Sequence, residues 1–155
     1  MSCDPHGQAY ARAEGFMTYR IMIVEDEYWT AMDLAVELQE RGALVTGPFS
    51  SLSQAIEALR GTERPDAAIL DVRLRNTDVF PVADLLMQDN IPFVFASGFD
   101  QHDLPARFAE TPHFEKPFLT PSCVESVLAL AEAHSCGRNG GRFLRSLSRE
   151  GNQFF

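Results

Sequence analysis

Short continuous runs of apolar residues alternate along this chain with longer stretches that have one apolar face. The pattern predicts strands near 20–25, 43–47, 67–71, 92–96 and 112–115, and helices near 27–41, 51–60, 79–88, 101–109 and 121–135. Continuous apolar strands flanked by helices are typical of a parallel sheet that is covered on both faces. We therefore predict an α/β fold built from five successive βα units.

The predicted helices have recognisable faces and ends. The first repeats apolar residues at helical spacing, namely Ala31, Leu34, Ala35 and Leu38. Gly42 stands where a C-terminal cap glycine is expected, and either Ser51 or Ser53 suits the N-cap of the second helix. Pro105 must begin or end a helix, which makes the segment 101–109 the weakest of the five predictions.

Charged or hydroxyl residues stand where four of the predicted strands end. They are Glu25, Asp26, Asp71, Ser97 and Lys116. The carboxyl ends of parallel strands lie at one edge of the sheet, and ligands bind in the crevice there. We therefore expect three carboxylates, one hydroxyl and one ammonium to converge, although they are far apart in sequence.

The three carboxylates predict a Mg²⁺ site. Glu25, Asp26 and Asp71 would repel one another as neighbours, and a hard divalent cation with oxygen ligands relieves that repulsion. Magnesium keeps several of its waters, so carboxylates and the backbone carbonyl of Arg73 suffice as protein ligands. Coordination positions then stay open for a phosphoryl oxygen.

Asp71 is the predicted nucleophile, because a carboxylate beside a metal ion can attack phosphorus and form an acyl phosphate. Phosphoryl transfer needs positioning and charge stabilisation, which Lys116 supplies as an ammonium and Ser97 as a hydrogen-bond donor. Gly98 leaves room for an incoming phosphodonor, and Phe99 borders that route.

Each of these residues alone has an ordinary structural explanation. An Asp at a strand end commonly caps a turn, and Ser97-Gly98 and Lys116-Pro117 are turn signals. The specific feature is the order in which an acidic pair, an Asp, a Ser and a Lys end successive strands. Trp29 is expected to be a packing residue.

Composition narrows the class of protein. The chain has 155 residues, of which 45% are apolar and 23% charged, as in soluble globular domains. No apolar run approaches the about 20 residues of a membrane-spanning helix, and no apolar segment follows Met1. Three cysteines without a close pair indicate neither a disulfide framework nor a zinc site. We expect a cytoplasmic protein with no membrane partner.

The distribution of charge suggests three parts. Residues 21–136 contain seven Lys or Arg and nineteen Asp or Glu, a balance of −12 that repels nucleic acid. We expect a disordered extension over 1–18, a folded domain over 19–136 and a flexible basic tail over 137–155. Four arginines in the tail attract phosphate but offer no scaffold for reading bases, so no nucleic-acid partner is expected.

Four short motifs resemble the receiver domains of two-component response regulators. They are VEDE at 24–27, ILDV at 69–72, FASG at 95–98 and EKPF at 115–118, and the resemblance covers about residues 19–135. The segments PFVFASGF at 92–99 and VAD at 82–84 are similar to the FATGUY subgroup of alphaproteobacterial receivers. The resemblance to that subgroup implies a sensor kinase of the HWE class as the partner.

The resemblance implies a fold and a function. The fold is a flavodoxin-like, doubly wound (βα)5 sheet with strand order 2-1-3-4-5. The function implied is phosphorylation of Asp71 by a sensor histidine kinase with Mg²⁺ at Glu25 and Asp26, followed by slow self-dephosphorylation. Ser97 and Lys116 would then read the phosphoryl group.

The chain departs from the family at the position three before the lysine. Most receivers have Tyr or Phe there, a ring that rotates with the phosphorylated state, whereas this chain has His113 followed by Phe114. We therefore expect the region 98–111, and not a ring rotation, to carry the output.

Three classes of function stay open at this point. The first is a stand-alone response regulator, not an enzyme in its own right, that accepts phosphate and signals by binding an unknown downstream protein. The second is a docking module whose acidic pocket is vestigial. The third, a metal-dependent phosphatase, needs a second acid two residues after the nucleophile, where this chain has Arg73. Homodimers are common in the family, and the sequence leaves the oligomeric state open.

Overall fold

The computed structural model describes residues 18–98 and 104–151, with side chains as far as residue 135. Its elements in chain order are β1 (Arg20–Val24), α1 (Tyr28–Glu40), β2 (Leu44–Phe49), α2 (Leu52–Arg60), β3 (Ala67–Leu70), β4 (Arg73–Leu74), β5 (Thr77–Asp78), α3 (Phe80–Gln88), β6 (Phe93–Ser97), a 3₁₀ turn (Ala106–Phe108), β7 (His113–Glu115) and α4 (Thr120–Gly151). The predicted extension over 1–18 lies almost wholly outside the described residues.

Five strands form one sheet in the order β2-β1-β3-β6-β7, and every neighbouring pair is parallel. Counted among themselves, these strands have the predicted order 2-1-3-4-5. Ile23 pairs with Ile69, and Leu70 pairs with Phe95, so the three central strands are in step. The predicted doubly wound, flavodoxin-like sheet is confirmed.

Side chains alternate across the sheet and build a core layer on each face. One layer, which we call the α2–α3 layer, contains Met22, Leu70 and Phe95 together with residues of α2, α3 and the 3₁₀ turn. The opposite α1–α4 layer contains Ile23 and Ile69 together with residues of α1 and α4. The central strands are thus buried on both sides, as their continuous apolar sequences predicted.

The helix ends mostly follow the predictions. The Ser51 hydroxyl accepts a hydrogen bond from the Gln54 amide at 3.3 Å, which makes Ser51 the N-cap of α2. Gly42 follows α1 with a φ of 84°, a conformation that favours glycine at this position. The predicted apolar face of α1 is buried at all four positions, Ala31, Leu34, Ala35 and Leu38.

The β2 strand needs a glycine where it passes β1. Gly47 has a φ of 96°, and a Cβ there would lie 2.8 Å from the carbonyl oxygen of Ile23. The pairing of β1 with β2 shifts at this point, between Met22 and Val24. Beyond the shift, the Glu25 amide donates to the Phe49 carbonyl at 2.9 Å, which holds the first site residue in line.

The prediction of a helix over 101–109 is wrong for its described part. Residues 99–103 are outside the description, and residues 106–108 form only a 3₁₀ turn. Pro105 has extended backbone angles, with φ −54° and ψ 145°, so an α-helix cannot run through it. The short antiparallel hairpin of β4 and β5 was also not predicted from the sequence.

The last helix is longer than predicted. Its backbone continues from Thr120 to Gly151, through the segment that we expected to be a flexible linker after residue 136. The glycines of that segment each lower helix propensity by about 1 kcal/mol, which is why the sequence indicated an earlier end. None of the helices in the described ranges is long and apolar enough to cross a bilayer.

Candidate functional site

The predicted site residues meet at one edge of the sheet. The hydrogen-bond ladder continues one residue past the strands: Asp71 donates its amide to the Val24 carbonyl at 2.8 Å, and Lys116 to the Ser97 carbonyl at 2.9 Å. Backbone bonds therefore hold Asp71 and Lys116 in register with the neighbouring strands. The structure thus brings together four of the five predicted residues, Glu25, Asp26, Asp71 and Lys116, while Ser97 ends the strand beside them.

Lys116 lies at the centre of this group. Its Nζ is 3.1 Å from Glu25 Oε1, 3.2 Å from Glu27 Oε2 and 3.3 Å from Asp71 Oδ2. One ammonium thus donates to three carboxylates, the largest number that its three hydrogens allow. Together with Asp26, which completes the set of acids, we call these residues the acidic edge: Glu25, Asp26, Glu27, Asp71 and Lys116.

Glu27 was not among the predicted site residues. It follows the acidic pair directly, and its approach to Lys116 spans 89 residues of sequence. The only signal for it was its place in the VEDE motif.

Two of the carboxylates are withdrawn from water. The Glu25 side chain is 1% exposed and that of Asp71 is 9% exposed. Backbone amides bind one oxygen of each: Glu27 donates to Glu25 Oε1 at 3.0 Å, and Arg73 donates to Asp71 Oδ1 at 3.3 Å. Glu25 Oε2 is buried and has no hydrogen-bond partner among the described residues. A buried carboxylate oxygen left in this way is suited to a ligand.

These surroundings change the acidity of Glu25. Burial is the largest cause, and the neighbouring Asp71 adds to it, so the pKa of Glu25 rises to about 8. The Glu27 amide and the Lys116 ammonium act in the opposite direction. The pKa of Lys116 lies above its ordinary value because Asp71 and Glu25 outweigh the effect of burial, which lowers it. The acidic edge therefore carries more negative charge than Lys116 balances.

The oxygens of this edge fit a hard cation. Glu25, Asp26 and Asp71 each offer one oxygen, and these oxygens all lie within 4.8 Å of one another. Asp26 Oδ2 is also held by the Arg75 amide at 2.8 Å. Carboxylate oxygens are the ligands that Mg²⁺ prefers, and within the described part of the chain the buried Glu25 Oε2 has no hydrogen-bond partner. The donor set and the excess negative charge both fit a divalent ion.

Ser97 is fully buried at the end of β6, opposite Glu115 in the strand pairing. A Cβ placed on the next residue, Gly98, would meet no described atom within 4 Å, so the space beside it is open. This agrees with the expected room for a phosphodonor, whereas Phe99 lies outside the described residues.

His113, at the family's aromatic position, and Phe114, which follows it, have different surroundings in the structure. His113 pairs with Phe95 on the neighbouring strand and is partly buried. Phe114 packs in the α1–α4 layer, where its ring centroid is 6.3 Å from that of Phe118. Phe114 is therefore on the face of the sheet away from the α2–α3 layer.

An exposed apolar surface adjoins the acidic edge. Tyr28 and Trp29 are 64% and 74% exposed, and Met32 and Val36 continue the surface down α1. Together we call them the α1 apolar face. A groove of about 330 Å³ lies along it, with Asp33, Glu37 and Thr120 also in its lining. The expectation that Trp29 is a packing residue is wrong, because its ring contacts the edge of Tyr28 and faces outward.

Comparison with known proteins shows which family the chain belongs to. No family model matches the chain. The chain is 36% identical to SdrG from Sphingomonas melonis Fr1, whose solution structure superposes with a TM-score of 0.63 over 74% of this chain and 96% of SdrG. A BeF3-activated conformation of SdrG, from Pseudomonas melonis Fr1, is 37% identical with a TM-score of 0.60 over 72% of this chain and 93% of the other.

Two further proteins are similar to this chain. A response regulator receiver protein from Sinorhizobium medicae WSM419 is 27% identical, with a TM-score of 0.64 over 76% of this chain and 97% of its own. The transcriptional regulatory protein PdtaR from Mycobacterium tuberculosis is 29% identical over 119 residues, 74% of this chain and 58% of PdtaR. The chain thus spans a little over half the length of the curated relative. It belongs to the response-regulator receiver family of two-component signalling.

Proposed function

We propose that this protein is a response regulator that accepts a phosphoryl group on Asp71 and signals by binding another protein. The observation that carries this proposal is the contact of Asp71 Oδ2 with Lys116 Nζ, at 3.3 Å, beside the carboxylates of Glu25 and Asp26. A nucleophilic carboxylate, a cation for phosphoryl oxygens and a candidate metal site thus share one edge of the sheet.

The chemistry assigned to Asp71 is a displacement at phosphorus. Its carboxylate oxygen forms a bond to phosphorus, while the bond between phosphorus and the donor's leaving atom breaks and the leaving group keeps the electron pair. Lys116 turns its hydrogen bonds from the carboxylates to the phosphoryl oxygens. Ser97, at the end of β6, donates a further hydrogen bond in this proposal.

Mg²⁺ is the proposed cofactor. Glu25, Asp26 and Asp71, with the backbone carbonyl of Arg73, would hold it. When bound, the ion supplies positive charge to the phosphoryl oxygens. The Arg73 amide already bonds Asp71 Oδ1, which brings the Arg73 backbone to the acceptor and supports its place in this set.

The proposed donor is the phosphohistidine of a sensor histidine kinase. Membership of the receiver family supports a protein donor, and the FATGUY-like motifs favour a kinase of the HWE class. The α1 apolar face is the proposed docking surface, because Tyr28 follows Glu27 of the acidic edge and Thr120 of the groove follows Lys116 closely. A donor bound there would lie beside Asp71.

The proposed output is a change in the segment between β6 and β7 that a downstream protein recognises. Phe108 of this segment is buried in the α2–α3 layer, and Arg107 bonds both carboxylate oxygens of Asp84 on α3. A change at Ser97 would therefore reach a surface next to α3. The docking module with a vestigial pocket is the alternative, since the α1 apolar face would serve it equally.

Intact mass spectrometry after incubation with acetyl phosphate tests the proposal. We expect one phosphoryl adduct that needs Mg²⁺, is removed by hydroxylamine and is absent from Asp71→Asn. The controls are a reaction with EDTA and a reaction without acetyl phosphate. A folded wild-type protein that binds Mg²⁺ but forms no adduct would favour the docking module.

A further inference from the structure

Glu27 lies at the N-terminus of α1, but its side chain does not cap the helix. It is the N-cap residue of α1, yet its side chain makes no capping hydrogen bond. Ser, Thr, Asp and Asn are preferred there because their short side chains bond the first amides of the helix. The Glu27 carboxylate reaches instead across to Lys116 Nζ, at 3.2 Å.

This contact places an additional negative charge beside the phosphoryl acceptor. Lys116 Nζ bonds Glu27 Oε2 and Asp71 Oδ2 at nearly equal distances, 3.2 and 3.3 Å, so both oxygens border the same ammonium. The Glu27 side chain is 57% exposed, whereas that of Asp71 is 9% exposed. Of the two carboxylates on this ammonium, Glu27 is therefore the one open to the solvent from which a free phosphodonor arrives.

The charges at the acidic edge do not balance even with a metal ion. Glu25, Asp26, Glu27 and Asp71 supply four carboxylates, and Lys116 with a divalent cation supplies three positive charges. The metal needs Glu25, Asp26 and Asp71, so Glu27 is the carboxylate that the proposed chemistry does not use.

We propose that Glu27 is a specificity-determining residue that selects against free phosphodonors with two negative charges. The inference rests on phosphorylation of Asp71, as proposed above. Lys116 holds the Glu27 carboxylate beside the route to Asp71, where it repels a dianion about twice as strongly as a monoanion. A donor protein that docks on the α1 apolar face gains contacts that offset this repulsion. A small acyl phosphate in solution gains none.

Two small phosphodonors of different charge test the inference. Acetyl phosphate is a dianion near neutral pH, and phosphoramidate is chiefly a monoanion. The rate of adduct formation at saturating Mg²⁺ would be measured by intact mass for wild type, Glu27→Gln and Glu27→Ala. Glu40→Gln is the matched control, because it removes one exposed carboxylate from the far end of α1.

With acetyl phosphate we expect both Glu27 variants to react about threefold to tenfold faster than wild type at low ionic strength. With phosphoramidate the gain should stay below about threefold, and in high salt both gains should shrink. The affinity for Mg²⁺, measured by titration calorimetry, should fall in the variants because a negative charge is lost. Glu40→Gln should match wild type throughout.

Equal acceleration with both donors, or none with either, would overturn the inference. Tighter Mg²⁺ binding in the variants would overturn it too, because the gain in rate would then come from the metal. Two variants are used so that either one, shown to be folded by circular dichroism, gives the result. If wild type forms no adduct with either donor, the failure belongs to the proposed function and not to Glu27 alone.

Discussion

The acidic edge and the segment between β6 and β7 differ in the kind of side chain that each brings together. At the acidic edge, Glu25 is buried beside Asp71, and its pKa rises to about 8 because both burial and the neighbouring charge oppose ionisation. In the other region, Phe108 is fully buried among rings of Phe80, Phe93 and Phe95, with centroids 5.4 to 6.1 Å apart. One region gathers groups that repel, and the other gathers apolar groups that attract.

The difference shows how the fold supports its site. The aromatic rings pack around Phe108 on one face of the sheet, and Arg107 lies over the Phe108 ring at 4.5 Å. Packing of this kind stabilises the sheet, and the sheet in turn holds carboxylates at distances that they would not adopt freely. The site is therefore prepared for positive charge before any ligand arrives.

The largest expected effect is on the aromatic side. Phe108→Ala removes a fully buried ring, and the free energy of unfolding should fall by about 3–5 kcal/mol in urea denaturation. Leu119→Ala is the control, since Leu119 is 74% exposed and its loss should change stability by less than about 0.5 kcal/mol. Similar losses in the two variants would show that the aromatic cluster does not support the fold in this way.

The next effect is on the acidic edge. Lys116→Met leaves an unbranched side chain that is one atom shorter, and it removes the cation that contacts Asp71. The rate of phosphorylation by acetyl phosphate should fall about a hundred-fold, as when one donor to a developing charge is removed. Arg107→Gln removes a cation elsewhere and should leave the rate unchanged. A Lys116 variant that reacts as fast as wild type contradicts the role given to Lys116.

The raised pKa of Glu25 should make the free energy of unfolding depend on pH. The unfolded chain releases the Glu25 proton near its ordinary pKa of 4.5, whereas the folded protein keeps it up to about pH 8. The folded state thus binds more protons in this window, and the stability contributed by Glu25 is lost as pH rises.

We expect the free energy of unfolding of the metal-free protein to fall by about 2 kcal/mol from pH 6 to pH 8 through this group. Urea denaturation in EDTA would measure it, and Glu25→Gln should show a smaller decrease over the same range. Equal slopes for wild type and variant would mean that burial of Glu25 does not raise its pKa as described.

The smallest expected effect is the change that phosphorylation at the acidic edge causes in the segment between β6 and β7. On phosphorylation, the amide resonances of residues 98–111 should shift more than those of β1 and β3, because Ser97 connects the acidic edge to this segment. Two-dimensional NMR with and without acetyl phosphate would show it. Unchanged resonances across 98–111 would separate the regions and remove this segment from the proposed output.

The sequence predicted the sheet well because buried parallel strands are continuous apolar runs, as in Ile21–Val24 and Phe93–Ala96. It also predicted which residues converge, because strand ends in register share an edge. It did not predict the turn at 106–108 in place of a helix, although Pro105 was a warning. That turn depends on Phe108 packing against distant rings, which local pattern does not contain.

The contact of Glu27 with Lys116 and the exposure of Trp29 were also not predictable. The first joins residues 89 positions apart and depends on how α1 leaves β1. The second depends on which side of α1 meets the sheet at its first turn, where Ala31 is buried and Trp29 is not. Helical periodicity places residues on a face but does not say how wide the buried part of that face is.

Reduction of the phosphorylated protein with borohydride tests the central claim most directly, because an aspartyl phosphate is converted to homoserine at the position that carried it. After treatment with acetyl phosphate and Mg²⁺, peptide mass spectrometry should find homoserine at position 71, and EDTA should prevent it. Homoserine at Asp26 or another carboxylate in place of Asp71, or none in a protein that binds Mg²⁺, would contradict the assignment of Asp71 as the phosphoryl acceptor.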